Sequence, residues 1–150
     1  MFLCVRIFTQ YFNNLKNKKM VKFGYTILYV EDVEIAISFY ENIFGFSRKF
    51  ITPEKDYGEL ITGETTLSFA SKGMANQNLK DGFLESSLED KPFAIEIGFI
   101  TDDVTELVQK ATSHGAVMVS EPTQKPWGQI VAYVRDLDGF LIEICTEVQG

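Results

Sequence analysis

Tyr25-Thr-Ile-Leu-Tyr-Val-Glu-Asp-Val is answered 71 residues later by Glu96-Ile-Gly-Phe-Ile-Thr-Asp-Asp-Val. In both copies an apolar, β-prone run ends in an acidic residue that can cap a helix, and the same order of elements follows. In the first copy, Phe23 to Val30 reads as a strand. Asp32 caps a helix with Val33, Ile37, Tyr40 and Phe44 on its apolar stripe, and Gly45 stops it. Short β-prone runs follow near Phe46–Thr52, Tyr57–Thr62 and Thr65–Ala70, punctuated by Pro53 and the Gly63-Glu64 turn. In the second copy, Phe93–Ile100 precedes an Asp103–Glu106 capping box and a helix striped by Val104, Leu107, Val108 and Ala111, which Gly115 closes. Strands are predicted near Val117–Ser120, Gln129–Val134 and Phe140–Thr146, with Pro122, Pro126, Gly128 and Asp138-Gly139 as turns.

The predicted fold is therefore α+β: two βαβββ modules, residues 21–71 and 92–147, forming a cupped mixed sheet with helices on its outer face. A polar linker over residues 72–91 joins them. With one face of each sheet under its helix, strand alternation says which side chains point into the cup. Ile95, Ile97 and Phe99 fall on the helix side, against Ala94, Glu96 and Gly98. Phe140, Ile142 and Ile144 likewise oppose Leu141, Glu143 and Cys145. Tyr25, Ile27 and Tyr29 of the first strand and Thr66, Ser68 and Ala70 of the fourth share the cup face. Two carboxylates, Glu96 and Glu143, thus share one face, either a solvated outer sheet face or one pocket; in a pocket one should hold its proton above the ordinary glutamate range unless a cation sits between them.

Other features narrow the function. Lys and Arg number 14 against 21 Asp and Glu, a net charge of −7 with no basic stripe, so nucleic acid is not an expected partner. No apolar run reaches the ~20 residues of a membrane span, so no membrane partner is expected. Cys4 and Cys145 form no disulfide framework or zinc pattern, which suits a reducing cytoplasm. In Lys125-Pro126-Trp127-Gly128-Gln129, Trp127 stands where a loop could cover the cavity mouth, or where a tight turn simply fills the core edge. Gln129 and Tyr133 share a strand face that could line the wall. His114 lies at a helix end, which favours a cation and needs no chemistry.

Tyr29-Val30-Glu31-Asp32-Val33, Phe39-Tyr40, Phe44-Gly45, Thr101–Val104, Asp136–Gly139 and Ile142-Glu143 together make the chain resemble the vicinal oxygen chelate superfamily. That superfamily includes glyoxalase I, extradiol dioxygenases, fosfomycin-resistance enzymes and bleomycin-binding proteins. The resemblance implies four metal-ligand positions, which here carry Tyr25, Ser68, Glu96 and Glu143; only Glu143 keeps the residue type that metal-dependent relatives use. It also implies a homodimer and a small-molecule ligand. Two functions stay open. One is a glyoxalase-like lyase or isomerase acting next to a carbonyl, with Glu143 and Glu96 catalytic or holding a divalent metal as its cofactor. The other is non-catalytic binding of a cationic or aromatic small molecule, with Tyr25, Ser68, Trp127, Gln129 and Tyr133 lining the site.

Residues 1–19 are read as an extension outside the domain of residues 20–150. The domain pattern begins straight after Met20, and Asn17-Lys18-Lys19 can be encoded by purine-rich codons resembling a ribosome-binding site. Met20 is therefore the expected start, and the intact mass of protein made from its native gene context checks it: a mass that includes residues 1–19 would refute it.

Overall fold

Asp32 ends an extended segment and begins a helix, because its carboxylate accepts the Ile35 N–H at 2.9 Å. That bond satisfies one of the donors a helix start leaves unpaired. The helix runs to Phe44, where Gly45, at φ +72°, makes the left-handed turn. Its apolar stripe buries Ala36, Ile37, Phe39, Tyr40 and Ile43, and each large aliphatic side chain so buried is worth roughly 1.5–3 kcal/mol. Ile37 sits so close to the sheet that a Cβ on Gly58 would lie 2.5 Å from its Cδ1. A side chain at this position would make Ile37 shift. Asp103 starts the second module's helix in the same way, accepting the Glu106 N–H at 2.9 Å.

The computed structural model describes residues 21–148; the expectation for residues 1–19 falls outside the described residues. In chain order the elements are β1 (Tyr25–Val30), α1 (Val33–Phe44), β2 (Ser47–Ile51), β3 (Tyr57–Ile61), β4 (Thr66–Ser71) and α2 (Lys72–Asn78). There follow β5 (Ile97–Ile100), α3 (Val104–Ser113), β6 (Val117–Gln124), β7 (Ile130–Arg135) and β8 (Leu141–Cys145). Two four-stranded mixed sheets result, ordered β1-β4-β3-β2 and β5-β8-β7-β6. In each, the first and last strands of the module pair in parallel and the remaining pairs are antiparallel. The architecture is the expected pair of βαβββ modules, with α1 and α3 packed on one side of their sheets and the other sides open.

Three details differ from expectation. Within the segment read as a linker, Ser71 accepts the Met74 N–H and caps a short helix, α2, whose Ala75 is buried. β5 begins at Ile97 rather than Phe93, so Glu96 stands just ahead of it. Ile95 is 64% exposed instead of facing a helix. The cause is the partner strand: Ile97 pairs with Ile142, and upstream of Leu141 the chain turns away through Asp138-Gly139. Pro122 does not end β6, which continues to Gln124. β6 is an edge strand, so a residue without an N–H can sit on its unpaired side, and the ladder steps in register between Ser120 and Thr123.

The modules meet through aromatic side chains and one buried polar bond. Phe44 of α1 stacks on Phe99 of β5, with ring centroids 4.2 Å apart. Beside them the Tyr40 hydroxyl donates to Asp136 at 2.7 Å across a separation of 96 residues. Asp136 is 2% exposed and also accepts the backbone N–H groups of Asp138 and Phe140. Burial outweighs these bonds and raises its carboxyl to about 6. A carboxyl raised in the folded state binds its proton more tightly there than in the unfolded chain. Its stabilising contribution is complete below pH ~4 and is lost as pH rises through about 6. Urea unfolding should therefore show wild type losing on the order of 2–3 kcal/mol relative to Asp136→Asn between pH 4 and pH 7. Parallel pH profiles for the two proteins would contradict this.

Candidate functional site

On the second module's open face, strand register aligns Gly98, Glu143 and Tyr133 across β5, β8 and β7. Ile142 and Ile144 alternate to the other side and are fully buried beneath α3. Glu143 accepts the Tyr133 hydroxyl at 2.7 Å. That bond is the first reason the phenol is pushed up to about 12. Glu96, exposed as a residue, stands just ahead of β5, near enough to Glu143 for that carboxylate to act on its own carboxyl. Partial desolvation first, then the charge of Glu143, raise its pKa. No Lys or Arg side chain forms an ion pair with either glutamate among the described residues. Cys145, on the same face, is a buried free thiol pushed up to about 11 by desolvation, so it is no thiolate ligand or ready nucleophile.

The other candidates fall into two places. Trp127, 60% exposed, donates its indole N–H to Gln129 Oε1 at 2.9 Å, and Gln129 Nε2 donates to the Thr146 carbonyl at 2.8 Å. This relay holds the indole beside a cavity of about 570 Å³ at one end of the second sheet, lined also by Asp102, Ile130 and Glu147. Tyr25 and Ser68 belong instead to the open face of the first sheet, where Ile27 and Glu59 flank Ser68 in register. No hydrogen bond or ion pair among the described residues joins them to Glu96 or Glu143. A groove of about 350 Å³ does run between the two sheets, with Thr26, Thr66 and Leu67 on one side and Glu96, Ile97 and Gly98 on the other.

The first sheet's open face carries a cluster that sequence reasoning missed. Glu59, only 5% exposed, accepts the Tyr57 hydroxyl at 3.0 Å and the Lys49 ammonium at 2.7 Å. Beside it the Ser68 hydroxyl, at 0% exposure, has no hydrogen-bond partner among the described residues. The signal was present: alternation over Tyr57–Ile61 sets Glu59 opposite the buried Leu60, on the same side as Ser68. His114 lies at the end of α3, its Nδ1 2.8 Å from the Lys110 carbonyl.

These donors do not fit a zinc or nickel centre. Among the described residues no three His, Cys, Asp or Glu side chains are grouped as metal ligands. The two glutamates that do meet offer only carboxylate oxygens, and soft or borderline metals favour nitrogen and thiolate.

The family profile described as Glyoxalase/Bleomycin resistance protein/Dioxygenase superfamily matches residues 22–144. The chain is 29% identical over 133 residues to lactoylglutathione lyase GLX1 of Arabidopsis thaliana; the match takes in 82% of this chain but only 43% of that protein's length. It is 28% identical over 131 residues to virulence protein STM3117 of Salmonella typhimurium, covering 85% of each. A glyoxalase-related enzyme from Fulvimarina pelagi shares the fold at 18% identity and a TM-score of 0.71, over 85% of this chain and 89% of that one.

If Glu143 holds the proton of Glu96 in place, Glu143→Gln should bring the Glu96 titration down toward the ordinary glutamate range, because the neighbouring negative charge is gone. Carbon-detected NMR of glutamate-labelled protein reads this directly. An unchanged Glu96 titration would mean that the two carboxyls do not interact.

Proposed function

Because the chain belongs to the glyoxalase/bleomycin resistance protein/dioxygenase superfamily, we propose that it binds a small molecule bearing a protonated amine on the open face of its second module. The observation that carries this is the meeting of Glu96 and Glu143 with no cationic side chain paired to either. Two carboxylates in a partly desolvated place cannot both ionise cheaply, and a ligand ammonium between them removes that cost. Tyr133, bonded to Glu143, supplies aromatic surface of the kind that accompanies bound cations. The protein acts as a homodimer, since the exposed Tyr25, Ile27 and Ile61 on the first sheet's open face need cover. It works in the reducing cytoplasm, in keeping with the unpaired Cys145.

A second function, a lyase or isomerase acting next to a carbonyl, is favoured by one feature: Glu96, inclined to keep its proton, stands beside Glu143 as acceptor. A donor and an acceptor within reach of each other are what a proton shuttle requires. The likeness to lactoylglutathione lyase points the same way, though over less than half of that protein.

Thermal unfolding with benzyltrimethylammonium, benzylamine, Ni²⁺, Zn²⁺, Mg²⁺, Mn²⁺ and a chelator separates these outcomes. The amines should raise the midpoint by on the order of 5 °C at saturation, and Glu143→Gln should abolish the response while leaving basal stability nearly unchanged. Stabilisation by Ni²⁺ or Zn²⁺ alone, or turnover of the glutathione–methylglyoxal hemithioacetal, would overturn the binding function in favour of the enzyme.

A further inference from the structure

Where the two modules meet the segment that joins them, a cavity of about 220 Å³ shares no residue with the Glu96–Glu143 face. It is lined by Glu31 at the end of β1, Lys72 at the start of α2, Ser86 and Leu88 of the joining segment, and Leu137 and Asp138 of the turn before β8. Its walls are fixed. Asp138 Oδ1 accepts the Glu31 N–H at 2.8 Å, and Lys72 reaches Glu31 at 3.2 Å and Glu85 at 2.9 Å. Arg135 holds the joining segment through the Ser87 and Asp90 carbonyls at 2.7 and 2.6 Å. The turn lies so close to that backbone that a Cβ on Gly139 would come within 2.7 Å of the Ser87 carbonyl carbon.

Three groups at this cavity keep bonding capacity that the fold does not use. Ser86 is only 7% exposed, yet its hydroxyl has no hydrogen-bond partner among the described residues, which folded proteins rarely tolerate. Asp138 Oδ2 accepts no bond among the described residues; burial raises this carboxyl, while the Glu31 N–H and the Lys72 charge pull it back. Lys72, largely buried, spends two of its three N–H donors on glutamates. Glu31, Glu85, Glu89 and Asp138 set four carboxylates against that one ammonium, so the cavity repels anions. A metal dication would need about six oxygen ligands, and among the described residues no three acidic side chains are grouped to supply them. We propose that the cavity is a second binding site, for a small primary amine bearing a hydroxyl group, of the amino-alcohol class. The ammonium donates to Asp138 Oδ2 and Ser86 Oγ, the ligand hydroxyl accepts the spare Lys72 N–H, and Leu88 and Leu137 flank the carbon between them. The site stands whether or not the Glu96–Glu143 face takes an amine.

Amide chemical-shift titration of the full chain with ethanolamine tests this, with ethylene glycol and benzyltrimethylammonium as comparators. Ethanolamine should give saturable shifts at Glu31, Lys72, Ser86–Glu89 and Leu137–Gly139. Neither comparator should reproduce them, because the glycol lacks the charge and the quaternary ammonium lacks N–H donors. Ser86→Ala and Asp138→Asn should each weaken the binding about tenfold, since each removes an acceptor from a charged donor. Asparagine keeps the Oδ1 that the Glu31 N–H needs, and Ser86→Ala should not lower the thermal midpoint, because the hydroxyl it deletes is unpaired. Absence of saturable shifts at these positions, shifts that survive both variants, or equal shifts with ethylene glycol would each overturn the site. A lowered midpoint in Ser86→Ala would also overturn it, by showing that the hydroxyl is already spent within the fold. Ethanolamine shifts confined to Gly98, Tyr133 and Ile142–Cys145 would remove this site and leave the one on the second module's open face.

Discussion

One amphipathic helix can cover only one side of a four-stranded sheet. In each module α1 or α3 takes the side bearing the aliphatic row, Leu67 and Phe69 in β4 or Ile142 and Ile144 in β8. The strand pleat then delivers the intervening residues, Ser68 or Glu143, to the side that nothing in the module covers. Ser68, Glu59, Glu143 and Tyr133 follow from this. Glu143 and Tyr133 meet because β8 and β7 are in register there, and Glu59 meets Ser68 for the same reason in β3 and β4. A one-residue slip in either ladder would bury the carboxylates under a helix and expose the core, so burial of the aliphatic row is what holds the polar groups in place.

The modules are also tied to each other at a cost. Tyr40 and Asp136 place a hydroxyl and a carboxylate where both are desolvated, and the bond between them is what makes that burial tolerable. Asp136 simultaneously braces its own turn through the N–H groups of Asp138 and Phe140, while Asp138 accepts the Glu31 N–H of the first module at 2.8 Å. The same acidic turn therefore orders the approach to β8, which carries Glu143, and locks the end of β1. Arg135 extends the brace by donating to the carbonyls of Ser87, Asp90 and Gly139. The segment between the modules is thereby fastened to the second one.

What the sequence disclosed is what local chemistry determines. The caps at Asp32 and Asp103, the stop at Gly45 and the opposition of Glu143 to Ile142 and Ile144 depend on neighbours within a few residues, and all are present. Effects that depend on a partner strand were harder to see. β5 starts at Ile97 because β8 runs out, and β6 passes through Pro122 because no strand lies beyond it. The place of Glu59 beside Ser68 is legible in the alternation of Tyr57–Ile61, whereas that of Lys49 is not, because the β2 ladder shifts register between Arg48 and Phe50. The positions suggested by resemblance proved to be two pairs on two sheets: Glu96 reaches Glu143, whereas Tyr25 and Ser68 keep other company. Tyr40 read as an apolar stripe residue, and nothing local announced that its hydroxyl would find Asp136.

The central claim is that the Glu96–Glu143 face takes a cation. Amide chemical-shift mapping with benzyltrimethylammonium tests it most directly, since the strands that carry the two carboxylates report through their own backbones. Saturable shifts should concentrate at Gly98, Tyr133 and Ile142–Cys145, leave α1 and α3 unmoved, and vanish in Glu143→Gln. Shifts scattered over the surface without saturation, or a saturable set centred elsewhere that survives Glu143→Gln, would contradict the account.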